Sequence, residues 1–249
     1  MQRSVLRLPR TDRAIETTLR PRTRQTGGMY LPDILAAPHP AATDALSDWV
    51  MFDDGIARIG VRERAQGVYV ETGADIDEMI VCSAGRYTVE HAGESFDVVP
   101  GTSWVKPREW AATITVHQSV REMYVIDVRP GGAAPSAYLS NAYTLDLGTP
   151  NARPNPRAGE PKDALHIMWE HNGLETGVWA CTPGSFGISR DGYDEVMLIL
   201  SGRATMHATN GQIFTLQAGS VLLTPEGFVG YWIIEETIRK VYTKVLRPA

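Results

Sequence analysis

Three polar side chains, Asp191, Tyr193 and Glu195, alternate along one predicted strand and have the clearest potential for chemistry. Residues two apart on a strand point to the same face, so this spacing would bring the three groups together. An apolar run follows at 196–198, and burial beside it would raise the pKa of a carboxyl group toward neutrality. Glu195 is therefore a candidate general acid or base, with Tyr193 as a second proton donor and Asp191 as a ligand contact.

A structural role is the alternative for the same residues. Glu195 would then face solvent or pair with an arginine near the mouth of the fold. Tyr193 would be an ordinary strand tyrosine whose hydroxyl group has a hydrogen-bond partner. The residue types alone do not decide between the two roles.

The segments around these residues are predicted to be short β-strands. From about Trp49 onward, runs of Val, Ile, Tyr and Thr are separated by Gly, Asp and Pro, which is typical of strands and turns. The Asn-Gly pairs at 172–173 and 210–211 each lie between two such runs and predict hairpins. Because helical patterns are few, the chain is predicted to be an all-β sandwich or barrel.

The second half of the chain repeats the first. In both halves a glutamate lies seven residues before a glycine, and a later glycine lies six residues before a proline. These residues are Glu78, Gly85, Gly101 and Pro107 in the first half and Glu195, Gly202, Gly219 and Pro225 in the second. The offsets of 117 and 118 residues predict two copies of one barrel. Glu78 follows Ala74 and Ile76 at the spacing of the candidate strand, so the second barrel is better equipped for proton chemistry.

Composition bounds the class of protein. The 249 residues are 43% hydrophobic and 21% charged, with a formal net charge of −5. This balance excludes a disordered chain and argues against a nucleic-acid-binding protein. No apolar run approaches the ~20 residues of a membrane span, and the start lacks the apolar core of a secretory signal. Reduced, buried thiols are expected at Cys82 and Cys181, and we expect a cytoplasmic location.

Four regions follow along the chain. Residues 1–45 are Arg- and Pro-rich and are predicted to form an arm that packs on a barrel. The N-terminal barrel is assigned to 46–128 and the C-terminal barrel to 163–249. Between them, residues 129–162 have the Pro- and Gly-rich composition of a linker.

The repeated spacings resemble the two motifs of the cupin superfamily. The first motif ends in Glu, six residues and Gly, and the second begins with Gly, five residues and Pro-x-Gly. The C-terminal copy fits both motifs, and residues 174–245 look like the EutQ-type branch through Gly177-Val-Trp179, Gly202 and Gly227 to Trp232. Residues 55–128 are similar more weakly, because Glu109 stands where the motif has Gly. The resemblance implies two tandem RmlC-like jelly-roll barrels, with Glu195 and Glu78 pointing inward.

The metal ligands of cupins are missing at the matching positions. The His-x-His pair falls on Ser189 and Asp191, or on Ile188 and Arg190, and the last histidine position falls on Gly230. The N-terminal copy has no histidine at its matching positions either. One carboxylate does not hold a transition metal firmly, so no metal and no cofactor is expected. Trp232 lies two residues beyond the lost histidine position and is therefore a candidate ligand contact, as is Glu78.

The sequence predicts a metal-independent protein of two cupin barrels that acts on a small polar metabolite. Proton-transfer chemistry by an isomerase, lyase or hydrolase in the C-terminal barrel is the first hypothesis, with Glu195 and Tyr193 as catalytic residues. A non-catalytic binding or sensing protein is the alternative, and a metal-dependent dioxygenase is the third. Cupin relatives commonly dimerise, so a homodimer is expected, without nucleic-acid or membrane partners. The substrate itself is not identified.

Overall fold

The computed structural model describes residues 28–31, 46–134 and 136–248, and it arranges them as two antiparallel β-sheets. No helix occurs in these ranges, and so none of them contains a helix that could cross a membrane. Each sheet is curled into a barrel. The predicted all-β fold of two tandem jelly-roll barrels is therefore confirmed.

The N-terminal sheet has eight strands in the order β2-β3-β8-β5-β7-β9, with β4 on β8 and β6 on β5. The strands are β2 (Leu46–Asp53), β3 (Ala57–Arg64), β4 (Gly67–Glu71), β5 (Asp77–His91), β6 (Glu94–Val98), β7 (Thr102–Lys106), β8 (Ala112–Asp127) and β9 (Tyr138–Asn141).

The C-terminal sheet has ten strands, with the main order β1-β17-β15-β18-β13-β12-β10. Strand β14 pairs with β11 and β18, and β16 pairs with β15. The strands are β1 (Met29–Leu31), β10 (Asn151–Ala152), β11 (Pro156–Ala158), β12 (Lys162–His171), β13 (Leu174–Cys181), β14 (Gly184–Ser189), β15 (Tyr193–Ala208), β16 (Ile213–Gln217), β17 (Val221–Thr224) and β18 (Val229–Leu246).

The internal repeat is visible in the two longest strand pairs, β5 with β8 and β15 with β18. Each pair has a bulge at the motif glycine, where Gly85 and Gly202 both adopt a φ of 84°. A Cβ at either position would lie 2.2 Å from a carbonyl oxygen of the facing strand. Only glycine satisfies both conditions, which is why the same spacing recurs in the two halves.

Three hydrophobic clusters form the core. One fills the N-terminal barrel around Trp104 and Tyr124, and a second lines the C-terminal barrel around Phe186 and Trp232. The third lies between the barrels and joins residues of both sheets. On β15, for example, Met197 faces the barrel interior while its neighbours on either side belong to the shared cluster. Each such side chain contributes about 1.5–3 kcal/mol on burial, so the two barrels stabilise each other.

The segment predicted to be a linker is built partly into both sheets. Strand β9 extends the N-terminal sheet, whereas β10 and β11 join the C-terminal one, and Leu145 and Leu147 pack on the shared core. At the start of the described chain, β1 pairs with Val221–Leu223 of the C-terminal sheet. The remainder of the predicted arm, residues 1–27 and 32–45, lies outside the described residues.

Limited proteolysis should cut first within residues 148–160, because nearly all of this stretch is exposed. The two fragments are expected to stay together in size-exclusion chromatography, since the shared core lies between the barrels rather than in the connection. First cleavage within residues 60–125, with 148–160 intact, would contradict the division into two barrels.

The C-terminal barrel cavity as a candidate functional site

The C-terminal barrel encloses a cavity of about 340 Å³. Aromatic rings and charged groups line it together. The rings are those of Trp179, Phe186, Tyr193, Trp232 and Tyr242, and the charged groups are Arg153, Asp163, Arg190, Glu195, Lys240 and Lys244. Four cations therefore face two carboxylates, an arrangement that favours an anion.

Glu195 lies at the centre of this cluster. It stands near the start of β15, pairs through its backbone with Thr224 and Lys244, and is buried. Its Oε1 accepts hydrogen bonds from Nη2 of Arg190 at 3.0 Å and from Nζ of Lys240 at 2.5 Å. The inward orientation implied by the cupin resemblance is thus what the structure has.

The expectation of a near-neutral Glu195 is wrong. Burial alone would raise the pKa of Glu195, but the attraction of Arg190 and Lys240 outweighs burial and holds the pKa below its ordinary value. Glu195 is therefore the arginine-paired glutamate of the alternative interpretation, joined by a lysine that the sequence did not connect with it.

Lys240 enters the cavity from the middle of β18 and is 5% exposed. Its Nζ lies 4.9 Å from the ring centroid of Trp179 and 5.7 Å from that of Trp232, so an aromatic wall replaces much of its water. Burial lowers the pKa of Lys240, although Glu195 acts in the opposite direction. This amine is thus desolvated and accessible to a molecule inside the cavity.

Arg190 follows the end of β14 and is fixed from several sides. Its backbone exchanges hydrogen bonds with Phe228 and Gly227, and its Nε donates to Oγ1 of Thr224 at 3.0 Å. A guanidinium group thus occupies a position that the resemblance had matched to a metal ligand, and it binds the motif glutamate directly.

The donor set does not fit a metal ion. The described residues contain no group of three or more histidine, cysteine, aspartate or glutamate side chains that could hold one. At the motif glutamate, a dication would meet two cations within 3.0 Å of the same oxygen.

The other predicted residues of this barrel divide into two groups. Tyr193 and Trp232 both line the cavity, and the Tyr193 ring lies 5.7 Å from the Arg190 guanidinium carbon and 5.4 Å from Nζ of Lys244. Asp191 is exposed and accepts a hydrogen bond from the Ser189 hydroxyl at 2.9 Å. The prediction that Asp191 shares the Glu195 face is wrong, because β15 begins only at Tyr193 and strand alternation does not extend to a turn residue.

Glu78 occupies the equivalent place in the N-terminal barrel, away from the cavity. It pairs with Nη2 of Arg62 and Nζ of Lys106, both at 2.7 Å. Although burial opposes it, this attraction lowers the pKa of Glu78. Lys106 is largely buried and also binds Glu71 at 2.8 Å.

Large buried side chains and further ion pairs lie in the same interior. Arg64 binds Glu71 at 2.5 Å, the Tyr87 hydroxyl donates to Glu122, and Trp104 donates to Tyr87 at 2.8 Å. The carboxylates Glu71, Glu78 and Glu122 are thus each paired with a cation of this interior. The predicted role of Glu78 as a ligand contact therefore finds no support in its surroundings.

Sequence reasoning missed Lys240, Lys244 and Tyr242. The three alternate on β18, and strand periodicity therefore directs them to one face. That alternation was the available signal. The internal repeat concealed it, because at the offset of 118 residues Lys240 corresponds to Glu122.

The cysteines are as expected. Cys82 and Cys181 are buried free thiols, and burial raises the pKa of each to about 12. Neither is therefore a reactive thiolate.

One family model matches part of the C-terminal barrel. Residues 170–242 match the EutQ-like cupin domain. No curated protein matches this chain. A DUF861-family protein of unknown function from Pseudomonas syringae pv. tomato str. DC3000 is 20% identical, with a TM-score of 0.72 over 89% of this chain and 100% of its own.

Two other solved structures have the same fold. The cupin 2 conserved barrel domain protein from Leptotrichia buccalis is 11% identical, with a TM-score of 0.64 over 85% of this chain and 92% of its own. The salicylate 1,2-dioxygenase from Pseudaminobacter salicylatoxidans is 9% identical, with a TM-score of 0.60 over 76% of this chain and 71% of its own. At such identities the likeness concerns the fold alone.

Proposed function

We propose that this chain binds a small organic carboxylate, without a metal, in the C-terminal barrel that matches the EutQ-like cupin domain. The observation that carries the proposal is the convergence of Arg190 and Lys240 on one oxygen of Glu195 inside an aromatic-lined cavity. A ligand carboxylate would supply the counter-charge that this arrangement lacks.

The charge balance of the cavity supports an anionic ligand. Arg153 pairs with Asp163 at 2.7 Å, and Lys244 pairs with Glu175 at 2.7 Å. Glu195 is then shared by two cations, which leaves one positive charge without a partner among the described residues that line the cavity. An unpaired buried charge is costly, so a bound anion would be strongly favoured there.

Metal-dependent dioxygenase chemistry is not proposed. The salicylate dioxygenase shares the fold only, and the described residues contain no group of three or more histidine, cysteine, aspartate or glutamate side chains that could hold a metal ion. The proposed site therefore uses cationic side chains where such relatives use a metal.

Metal-independent proton transfer is the second candidate. It is favoured by the buried Lys240 amine in direct contact with Glu195, with the Tyr193 hydroxyl in the same cavity. In this version an isomerase, lyase or hydrolase would use Lys240 and Glu195 to move a proton of a bound carboxylate compound. Anion binding is required for both candidates.

Calorimetric titration with lactate tests the proposal. We expect one lactate per chain with a Kd of about 1 mM or tighter, in buffer containing a chelator. Lactamide, which has nearly the same shape without the charge, should bind at least ~10-fold more weakly. Equal binding of lactate and lactamide, or no heat from either, would refute the proposed anion site.

We also propose a homodimer in the cytoplasm. The support is the common dimerisation of cupins and the free, buried thiols. Light scattering on purified protein would decide the oligomeric state, and a monomer would contradict it.

A further inference from the structure

We propose that Lys240 forms an imine with the carbonyl group of a small 2-oxo acid held in the C-terminal cavity. The inference rests on the proposed anion site and adds the substrate class and a covalent step. No residue other than Lys240 combines a primary amine with the cavity interior and direct contact with the motif glutamate among the described residues.

The geometry selects a carbonyl group next to a carboxylate. Nη2 of Arg190 and Nζ of Lys240 lie 3.0 and 2.5 Å from the same oxygen of Glu195, so they are at most 5.5 Å apart. A carboxylate held by the Arg190 guanidinium would therefore leave an adjacent carbonyl carbon within reach of Lys240. In a 2-oxo acid these two groups are directly bonded.

The surroundings favour a reactive amine. Lys240 is enclosed by the rings of Trp179, Trp232 and Tyr242, and it shares its carboxylate partner Glu195 with Arg190. A lysine that is desolvated and next to other cations is readily deprotonated, and burial does lower the pKa of Lys240. Lysine is also the rarer cation in this chain, which has four lysines among its 24 basic residues.

The step balances without an oxidant or reductant. The ammonium group of Lys240 transfers one proton to Glu195, and the free amine adds to the carbonyl carbon to give a carbinolamine. In forming the carbinolamine, one proton passes from the nitrogen to the oxygen; Glu195 then returns its own proton to that hydroxyl group, and water leaves as the C=N bond forms. The products are one protonated imine and one water molecule.

Reductive trapping with pyruvate and sodium cyanoborohydride tests the inference. Hydride adds to the imine carbon and fixes a secondary amine, which increases the mass of the modified peptide by that of pyruvic acid less one oxygen. We expect one adduct per chain, at Lys240, with ~10-fold or more labelling over the exposed Lys162. Lys240→Arg should abolish this adduct, because a guanidinium group does not form the imine, whereas Lys162→Arg should leave the adduct at Lys240 unchanged.

The outcomes separate the inference from the proposed function. Lactate binding without a pyruvate adduct at Lys240 would overturn the imine and leave the anion site standing. An adduct distributed equally over Lys162 and Lys240 would overturn it as well, because selective capture is then absent. If the wild-type protein neither binds lactate nor forms the pyruvate adduct, the anion site itself would be overturned.

Discussion

Replacing Glu78 by glutamine should lower the free energy of unfolding by about 3 kcal/mol, because Arg62 and Lys106 then lose a buried counter-charge. Both cations are largely buried, and the Glu78 side chain is 1% exposed, so little solvent reaches the pair to replace the carboxylate. Glu195→Gln should cost less, about 1–2 kcal/mol, because Arg190 and Lys240 border an open cavity. Urea denaturation of the two variants beside the wild type measures the difference.

Asp97→Asn is the matched control, since it removes an exposed carboxylate that pairs with Arg86. Its unfolding midpoint should equal that of the wild type. Folding lowers the pKa of Glu78. The stabilisation by its ionised carboxylate is therefore fully present when the pH is above the ordinary glutamate pKa, and it is lost as the pH falls through the lower pKa of the folded state. The difference in the free energy of unfolding between wild type and Glu78→Gln should therefore become smaller at acidic pH. A Glu78→Gln protein as stable as wild type at neutral pH would contradict the assigned ion pairs.

Lys240→Met should weaken lactate binding by about 10- to 100-fold, which is the range for losing a hydrogen bond to a charged group. The substitution removes the buried ammonium group while keeping an unbranched side chain against Trp179 and Trp232. It also leaves Glu195 with Arg190 as its cation at Oε1, so less positive charge remains for the ligand. Isothermal titration at one pH and ionic strength provides the measurement.

Lys162→Met is the control for that experiment, because Lys162 is an exposed lysine at the outer start of β12. It should bind lactate within about 2-fold of wild type. Unchanged affinity in Lys240→Met, with a normal unfolding midpoint, would remove Lys240 from the site and direct attention to Lys244 and Arg153.

The parts of the fold that follow from local backbone rules were predictable from the sequence. Gly85 and Gly202 have to be glycine because a carbonyl oxygen approaches each of them, and this repeated requirement revealed the two barrels. The inward direction of Glu195 followed from the cupin resemblance to the same motif.

The ionisation of the site was not predictable, because it depends on partners that are distant in sequence. Glu78 recruits Arg62 and Lys106, whereas Glu195 recruits Arg190 and Lys240, and these cations come from different positions in the two barrels. Comparing the two halves of the sequence identifies only the positions that they share, so it cannot find these cations. The prediction for Asp191 was wrong for a local reason, since side chains alternate between two faces only inside a strand and Asp191 precedes β15.

A crystal structure of metal-stripped protein grown with lactate would test most directly that the C-terminal barrel is a metal-independent anion site. The predicted result is a lactate carboxylate in the cavity, hydrogen-bonded to Lys240 or Arg190, with the N-terminal interior still closed by its ion pairs. An empty C-terminal cavity at a saturating lactate concentration, or lactate bound only after a divalent metal is restored, would contradict it.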